Sequence, residues 1–505
     1  MIKQPLLKVA MAAVLCGTSA VHAASDSALL DALVRKGILT DKEAAAIQTD
    51  TDEQAKASSA SKIKLSNSIT ELKLYGDIRL RYQYDNKDFQ ENPAGVGEDN
   101  DREQRSPSGS QRSRWRLRLR LNADFKLGPS FFGGVELQTA QAADSGNQTF
   151  ENGFDDYNIF ISKAFLGWNA TDYLTVTGGK FANPFYTTDL VWDPDVNPTG
   201  ISEVIAFHKL FAPEYEAAGG FSKDGKSMAA NGKAPELPWE LSLVAGQFIF
   251  DDNVEGGGSD ISGATRDNDA TTDAYLFETQ LIGSYRFGGI KVTVAPGWMT
   301  YINGSTSGLL NENAFQDSAG VSGATRNLNV LLVPGDVSFK LGSVKTKFYW
   351  DFAYNLEGRK RVEDIYDMVE LRNDAGQDSD DDVTDPDDTN KQHSNVDDYA
   401  YLVGLQFGEN KKKGDWSALL NWRQTGIGAI DPNINENDFA LGELNTRGFK
   451  VGLAYNLTDF AIGAVTYMHA WNLRDDLTGG EATGGNAIAD SNAIQVLQVD
   501  FNVKF

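Results

Sequence analysis

Five arginines stand at every second position: Arg112, Arg114, Arg116, Arg118 and Arg120. Ser113, Trp115, Leu117 and Leu119 fill the gaps, and Leu121 follows. A period of two is that of a β-strand, whose successive side chains point to opposite faces. On such a strand the five guanidinium groups share one face, with neighbours about 7 Å apart, and the apolar residues share the other. A row of this charge can attract and guide anions. It cannot face hydrocarbon, where each charge costs about 2–4 kcal/mol at mid-membrane. Lys73, Arg79 and Arg81 stand at matching parity with Asp77 on the segment upstream. Two strands should therefore present one basic wall to water. The alternative role for these groups is packing, with each arginine neutralised by a carboxylate.

Other chemistry has less to stand on. Beyond the leader the histidines are His208, His393 and His469, and no Gly-x-Ser-x-Gly or His-Glu-x-x-His pattern is present. His469 is the strand-borne candidate for a base, and an enzyme on a barrel scaffold is the reading it would serve. Asp380, Asp381, Asp382, Asp385, Asp387 and Asp388 crowd the connection 357–397. Without EF-hand spacing they read as a solvated, self-repelling loop. Clustered arginine could mark a nucleic-acid surface, but a net charge of −25 and an export signal argue against nucleic acid as a partner. No metal site and no cofactor are expected.

The elements that must hold the basic wall begin after a leader. Lys3 and Lys8 precede the apolar run 9–15, and Val21-His22-Ala23 has the form of a signal-peptidase site. Residues 1–23 therefore read as a signal peptide, too short in its apolar part to span a bilayer. Cys16 is the single cysteine and leaves with it. Residues 24–56 read as a short periplasmic helical segment, with Thr40-Asp41-Lys42-Glu43 as a capping box. Residues 57–71 form a linker.

From residue 72 to 505 the period is two. Sixteen strands are expected, over 72–84, 111–126, 131–142, 158–169, 172–181, 214–223, 238–250, 273–287, 290–302, 327–341, 344–356, 398–408, 414–425, 445–457, 460–471 and 491–505. Pro334 is an objection to the tenth, because proline cannot donate to a ladder. Short connections such as 288–289 and 342–343 alternate with long ones such as 85–110, 182–213 and 357–397. Short turns on one rim and long loops on the other are the asymmetry of an outer-membrane barrel. No run of 18 apolar residues occurs. The fold class is all-β: a closed antiparallel transmembrane β-barrel of about sixteen strands. Such a barrel leaves an aqueous channel.

The last strand alternates Leu497, Val499, Phe501, Val503 and Phe505. It resembles the end of outer-membrane proteins that are inserted by the barrel-assembly machinery, and the resemblance makes these residues an assembly signal. The leader, the helical segment, the opening strand Leu74-Tyr75-Gly76-Asp77-Ile78-Arg79-Leu80-Arg81-Tyr82 and the segment Gly178-Gly179-Lys180-Phe181-Ala182-Asn183-Pro184-Phe185 resemble the putative porin family of Gram-negative outer-membrane barrels. More distantly the chain is similar to phosphate-selective porins. The resemblance implies passive diffusion of small hydrophilic solutes or ions, or a substrate-selective anion channel. A surface adhesin is a further alternative. It also implies outer-membrane lipid and lipopolysaccharide as surroundings, a homotrimer, and a third long loop folded into the pore. By count that loop is 182–213, which would set Asp189, Asp193, Asp195 and Glu203 against the arginine wall as a constriction.

Overall fold

The computed structural model describes residues 34, 36, 40, 42–44, 47, 65–89, 110–140, 145–150, 156–211, 237–251, 274–302, 327–362, 394–474 and 491–505. The chain divides into two units, Met1–Ile69 and Thr70–Phe505. In the first, Thr40 and Glu43 form the expected reciprocal cap. The Thr40 amide donates to Glu43 Oε2 at 2.9 Å, and the Glu43 amide donates to Thr40 Oγ1 at 3.3 Å. The signal segment and most of the helical segment lie outside the described residues, as does the acidic run 380–388.

The second unit is a closed antiparallel β-barrel of sixteen strands. Its first eight are β1 (Ile69–Phe89), β2 (Ser110–Leu127), β3 (Phe131–Thr139), β4 (Ile159–Asn169), β5 (Leu174–Lys180), β6 (Thr199–Ala206), β7 (Trp239–Asp251) and β8 (Ala274–Phe287). β9 runs through Ile290–Val294 and Gly297–Ile302, and β10 through Asn329–Leu332 and Gly335–Leu341. Then come β11 (Val344–Asn355), β12 (Tyr399–Gly408), β13 (Trp416–Thr425), β14 (Thr446–Asn456), β15 (Ala461–Asn472) and β16 (Ser491–Lys504). Each strand pairs with the next, and β16 pairs with β1, from Lys504↔Asp77 to Ser491↔Phe89.

Proline is accommodated by giving up one bond, not the strand. β9 pauses at Pro296 and β10 at Pro334, yet the register is the same on both sides, Val294↔Gly335 below and Gly297↔Leu332 above. Pro334 offers its carbonyl to the Ala295 amide and Pro296 offers its carbonyl to the Leu281 amide, both at 2.9 Å. Each ring lacks a donor but its acceptor stays in the ladder.

One expected strand is elsewhere. Residues 214–223 lie outside the described residues, and the sixth strand is Thr199–Ala206. The connection after it, 207–238, is long although it falls on the rim of short turns. The alternation of loop lengths therefore has one exception. The short helix α1 (Phe207–Leu210) opens that connection, and His208 Nδ1 lies 3.1 Å from the Leu241 carbonyl.

The two faces of the wall separate by parity. Phe348, Phe352 and Tyr354 on β11 and Trp416, Leu420 and Trp422 on β13 are exposed on the outside. Tyr349, Asp351 and Ala353 point inward and are buried. Burial inside a wide barrel requires something to fill it, and two long connections do so. Leu190, Val191, Trp192 and Val196 from connection 181–198 pack with Ile427, Ile430 and Ile434 from connection 426–445 in one apolar cluster against Phe248, Met299 and Leu402 of the wall. Full burial of each such side chain contributes about 1.5–3 kcal/mol toward holding the loops inside.

Candidate functional site

The cations of β1 and β2 share one face of the wall, opposite the exposed apolar residues. Arg79 and Arg81 on β1 share the inner face with Asp77, Gln83 and Asp85, while Leu74, Ile78 and Leu80 are exposed outside. On β2, Arg116 and Arg118 are buried and Trp115 is 57% exposed on the opposite face. Lys73 lies low on β1, its ammonium 4.6 Å from the centre of the Tyr75 ring.

Most of these charges are paired, some by carboxylates of the adjoining strand and some by carboxylates from distant parts of the chain. Asp77 receives Arg118 at 3.1 Å and Arg120 at 2.6 Å. Arg114 pairs with Asp85 at 3.0 Å, and Arg118 also lies 3.5 Å from Asp195. Arg81 binds Asp500 at 2.7 Å and Asp438 at 2.9 Å. Arg79 and Arg116 differ. Arg79 donates to Asn147 at 2.7 Å, and Arg116 to Gln83 and Ser145, each at 3.2 Å. Neither has a carboxylate oxygen within 4.0 Å among the described residues. Ser145 and Asn147 belong to the segment 145–150 between β3 and β4, whose Gln148–Thr149 pairs with Arg116 and Leu117 of β2.

The connection 181–198 crosses the lumen, but its acids do not all meet the arginines. Asp189 turns to the far wall and accepts from Arg423 and Lys450, both at 2.7 Å. Burial would raise its carboxyl, but these two cations hold it well below the usual carboxylate range. Nearby, Tyr186 donates its hydroxyl to Asp336, and Thr188 donates to Asp351 at 2.8 Å. Asp193 sits where the two inward loops meet: its amide donates to the Ile434 carbonyl at 2.6 Å and the Asn437 amide lies 3.4 Å from its Oδ2. Burial, and then the neighbouring Glu436, push Asp193 up to about 9. Burial also pushes Glu436 up to about 7. Asp195 alone of the predicted acids reaches the arginine wall.

Glu203 is displaced from the expected constriction because it belongs to strand β6, not to the loop. It pairs in register with Val176, which pairs with Trp168, exposed on the outside. Its carboxylate accepts from Gln247 on β7 at 3.2 Å.

The opposing acid that sequence reasoning missed is Asp438. It comes from connection 426–445 and faces Arg81, with Arg116 and Arg79 close by. Burial would raise it, and those three cations hold it well below the usual range. Glu443 of the same loop binds Lys87 at 2.6 Å. A signal was available: Ile427, Ile430, Ile434 and Phe439 are unusual in a connection that should be solvated. His469 is on the outer face, its ring 4.2 Å from that of Trp471 and its Nδ1 3.2 Å from the Tyr467 hydroxyl. The C-terminal residues Leu497, Val499, Phe501 and Val503 lie on β16, with Val499 and Phe501 exposed outside. Phe505 completes the ladder, exchanging backbone bonds with Gly76 at 2.9 and 3.0 Å.

The result is a polar lumen narrowed by two welded loops, with cations on one side and carboxylates projecting toward them. Such an arrangement suits a water-filled path for small hydrophilic solutes.

No curated protein sequence matches the chain. Among solved structures it is similar to Salmonella typhi OmpF in complex with daunomycin, at 10% identity and a TM-score of 0.42, over 88% of this chain and 100% of that one. It is similar to Pseudomonas putida OprB at 8% identity and a TM-score of 0.43, over 86% and 94%. It is also similar to the outer membrane channel DcaP of Acinetobacter baumannii at 12% identity and a TM-score of 0.40, over 88% and 99%. The model of the family described as "Putative porin" matches residues 60–326 and 338–505, nearly the whole barrel. The chain belongs to this putative porin family, and its polar-lined, sixteen-stranded barrel is a channel for passive diffusion.

Proposed function

We propose that the protein is exported, cleaved after Ala23, and inserted in the outer membrane of a Gram-negative bacterium, where it passes small hydrophilic solutes with a preference for anions. The observation that carries the preference is the pair Arg79 and Arg116. They are cations of the inner wall without a carboxylate within 4.0 Å among the described residues. Their positive potential favours anions at the place where the lumen is narrowed. Asp195 and Asp438 oppose them across the lumen and set how strong the preference is. Reconstitution into a planar bilayer under a salt gradient tests this reading. A reversal potential of the anionic sign is expected, and a cationic sign would overturn it.

The outward rows of Trp, Tyr, Phe and Leu support lipid and lipopolysaccharide as surroundings. The alternating C-terminal strand supports insertion by the barrel-assembly machinery. A homotrimer is supported by Glu203 and Gln247. An outward carboxylate is costly in lipid, and here it lies on β6, which with β5 is among the shortest strands of the barrel. A second copy covering that face would relieve it. Cross-linking in native membranes tests this, and monomer alone would refute it.

A further inference from the structure

A second basic site stands at the other end of the lumen, where the short turns lie. One cross-strand row runs over five strands, β8 to β12: Arg286↔Lys291↔Ser338↔Lys347↔Gln406. One step nearer the rim, Lys340 stands directly opposite Lys345. Like charges set opposite each other on neighbouring strands repel, and this surface carries two such pairs, Arg286 with Lys291 and Lys340 with Lys345. Glu240 takes up part of the charge, at 2.9 Å from Arg286 and 3.4 Å from Lys291. Glu409 pairs with Lys345 at 2.8 Å. Lys340 and Lys347 have no carboxylate within 4.0 Å among the described residues; the ammonium of Lys347 rests 5.3 Å from the centre of the Tyr349 ring. The residues border a hollow of about 610 Å³ with no acid in its lining. The Gly288-Gly289 turn is part of its lining, two glycines with positive φ and open space around them.

We infer that this hollow binds a multivalent oxyanion, of the class of phosphate or a dicarboxylate, between Lys291 and Lys347. These two flank Ser338 and are two strand spacings apart, about 10 Å, so both flexible ammonium groups can close on one anion. Lys340 adds a third cation from the rim, and the Gln406 amide supplies a neutral donor. The site is separate from the arginine wall of β1 and β2 and does not depend on the preference of the constriction.

Inorganic phosphate is the probe. Titration calorimetry on the folded full-length barrel at constant ionic strength should show saturable binding. The double substitution Lys340→Gln and Lys347→Gln should weaken it roughly tenfold, the scale of one or two charge-assisted contacts. Lys347→Arg should retain it. Absence of saturable binding, or binding indifferent to Lys340→Gln and Lys347→Gln in a protein that still shifts on heating in gels, overturns the site. In nanodiscs, competition by phosphatidylglycerol would identify a lipid phosphate as the oxyanion, and equal binding in zwitterionic lipid would identify the free anion. Binding is read without conduction, so its failure would leave the channel function standing.

Discussion

Arg81 on β1 joins two carboxylates from distant parts of the chain: Asp500 on β16 at 2.7 Å and Asp438, 357 residues away in connection 426–445, at 2.9 Å. The side chain of Arg81 is 5% exposed. One guanidinium thus anchors an inward loop to both of the strands behind it.

Replacing Arg81 by Gln should leave Asp438 and Asp500 facing each other and release the loop. A broken buried pair costs about 3–5 kcal/mol. Asp438 is partly exposed and will lose less, so the expected cost is about 1–3 kcal/mol. Single-channel records should show larger and noisier conductance, and thermal melts a lower midpoint. Quiet channels of unchanged size would mean that the apolar contacts of Ile427, Ile430 and Ile434 suffice to hold the loop.

Charge on the wall should count according to its pairing. Arg79→Gln with Arg116→Gln should move the reversal potential toward cations. Arg114→Gln with Arg118→Gln, which removes cations already facing Asp85, Asp77 and Asp195, should move it less. Screening acts over about 8 Å at physiological salt, so the difference should grow as salt is lowered. Equal shifts from the two double variants would contradict the assignment.

The junction of the two inward loops should loosen as pH rises. Asp193 is held up to about 9 by burial and Glu436, against an ordinary value of 3.8. A carboxyl that keeps its proton in the folded loop, and loses it once free, stabilises the junction fully below its ordinary value. That contribution is lost as pH rises through the folded one. Gating noise should therefore increase between about pH 4 and pH 9, and Asp193→Asn should flatten the dependence. Noise that instead falls with rising pH would refute it.

Gly76 should tolerate no side chain. A Cβ there would lie 2.4 Å from the Arg120 carbonyl oxygen and 2.8 Å from the Phe505 ring. Gly76→Val and deletion of Phe505 should each reduce the heat-shifted, folded form in gels. Wild-type yields from Gly76→Val would show that the last residue can be displaced without loss of closure.

The barrel was legible because its rule is local: parity alone places Trp115 outside and Arg116 inside. The sixth strand escaped because Thr199–Ala206 is short and puts Glu203 on the outer face, where the pattern calls for an apolar residue. The partners of the arginines escaped for a different reason. Asp77 is close by in sequence, but Asp195, Asp438 and Asp500 arrive only through closure of the sheet and the fold of two loops, and no spacing along the chain records that. The prolines at 296 and 334 were ambiguous in sequence, since a missing donor can either end a strand or be tolerated in it.

The pairing of Lys504 with Asp77 also has a consequence for timing. β1 has no partner on one side until β16 docks against it. Every incomplete ring therefore carries two bare edges with unmet amides and carbonyls, the state most prone to pair with a stranger. Contacts of this sequence separation form slowly. A chain cut short near its end would lose more than one strand, because it would leave an open sheet where a ring should be. The open sheet must therefore be kept from foreign strands until β16 docks on β1.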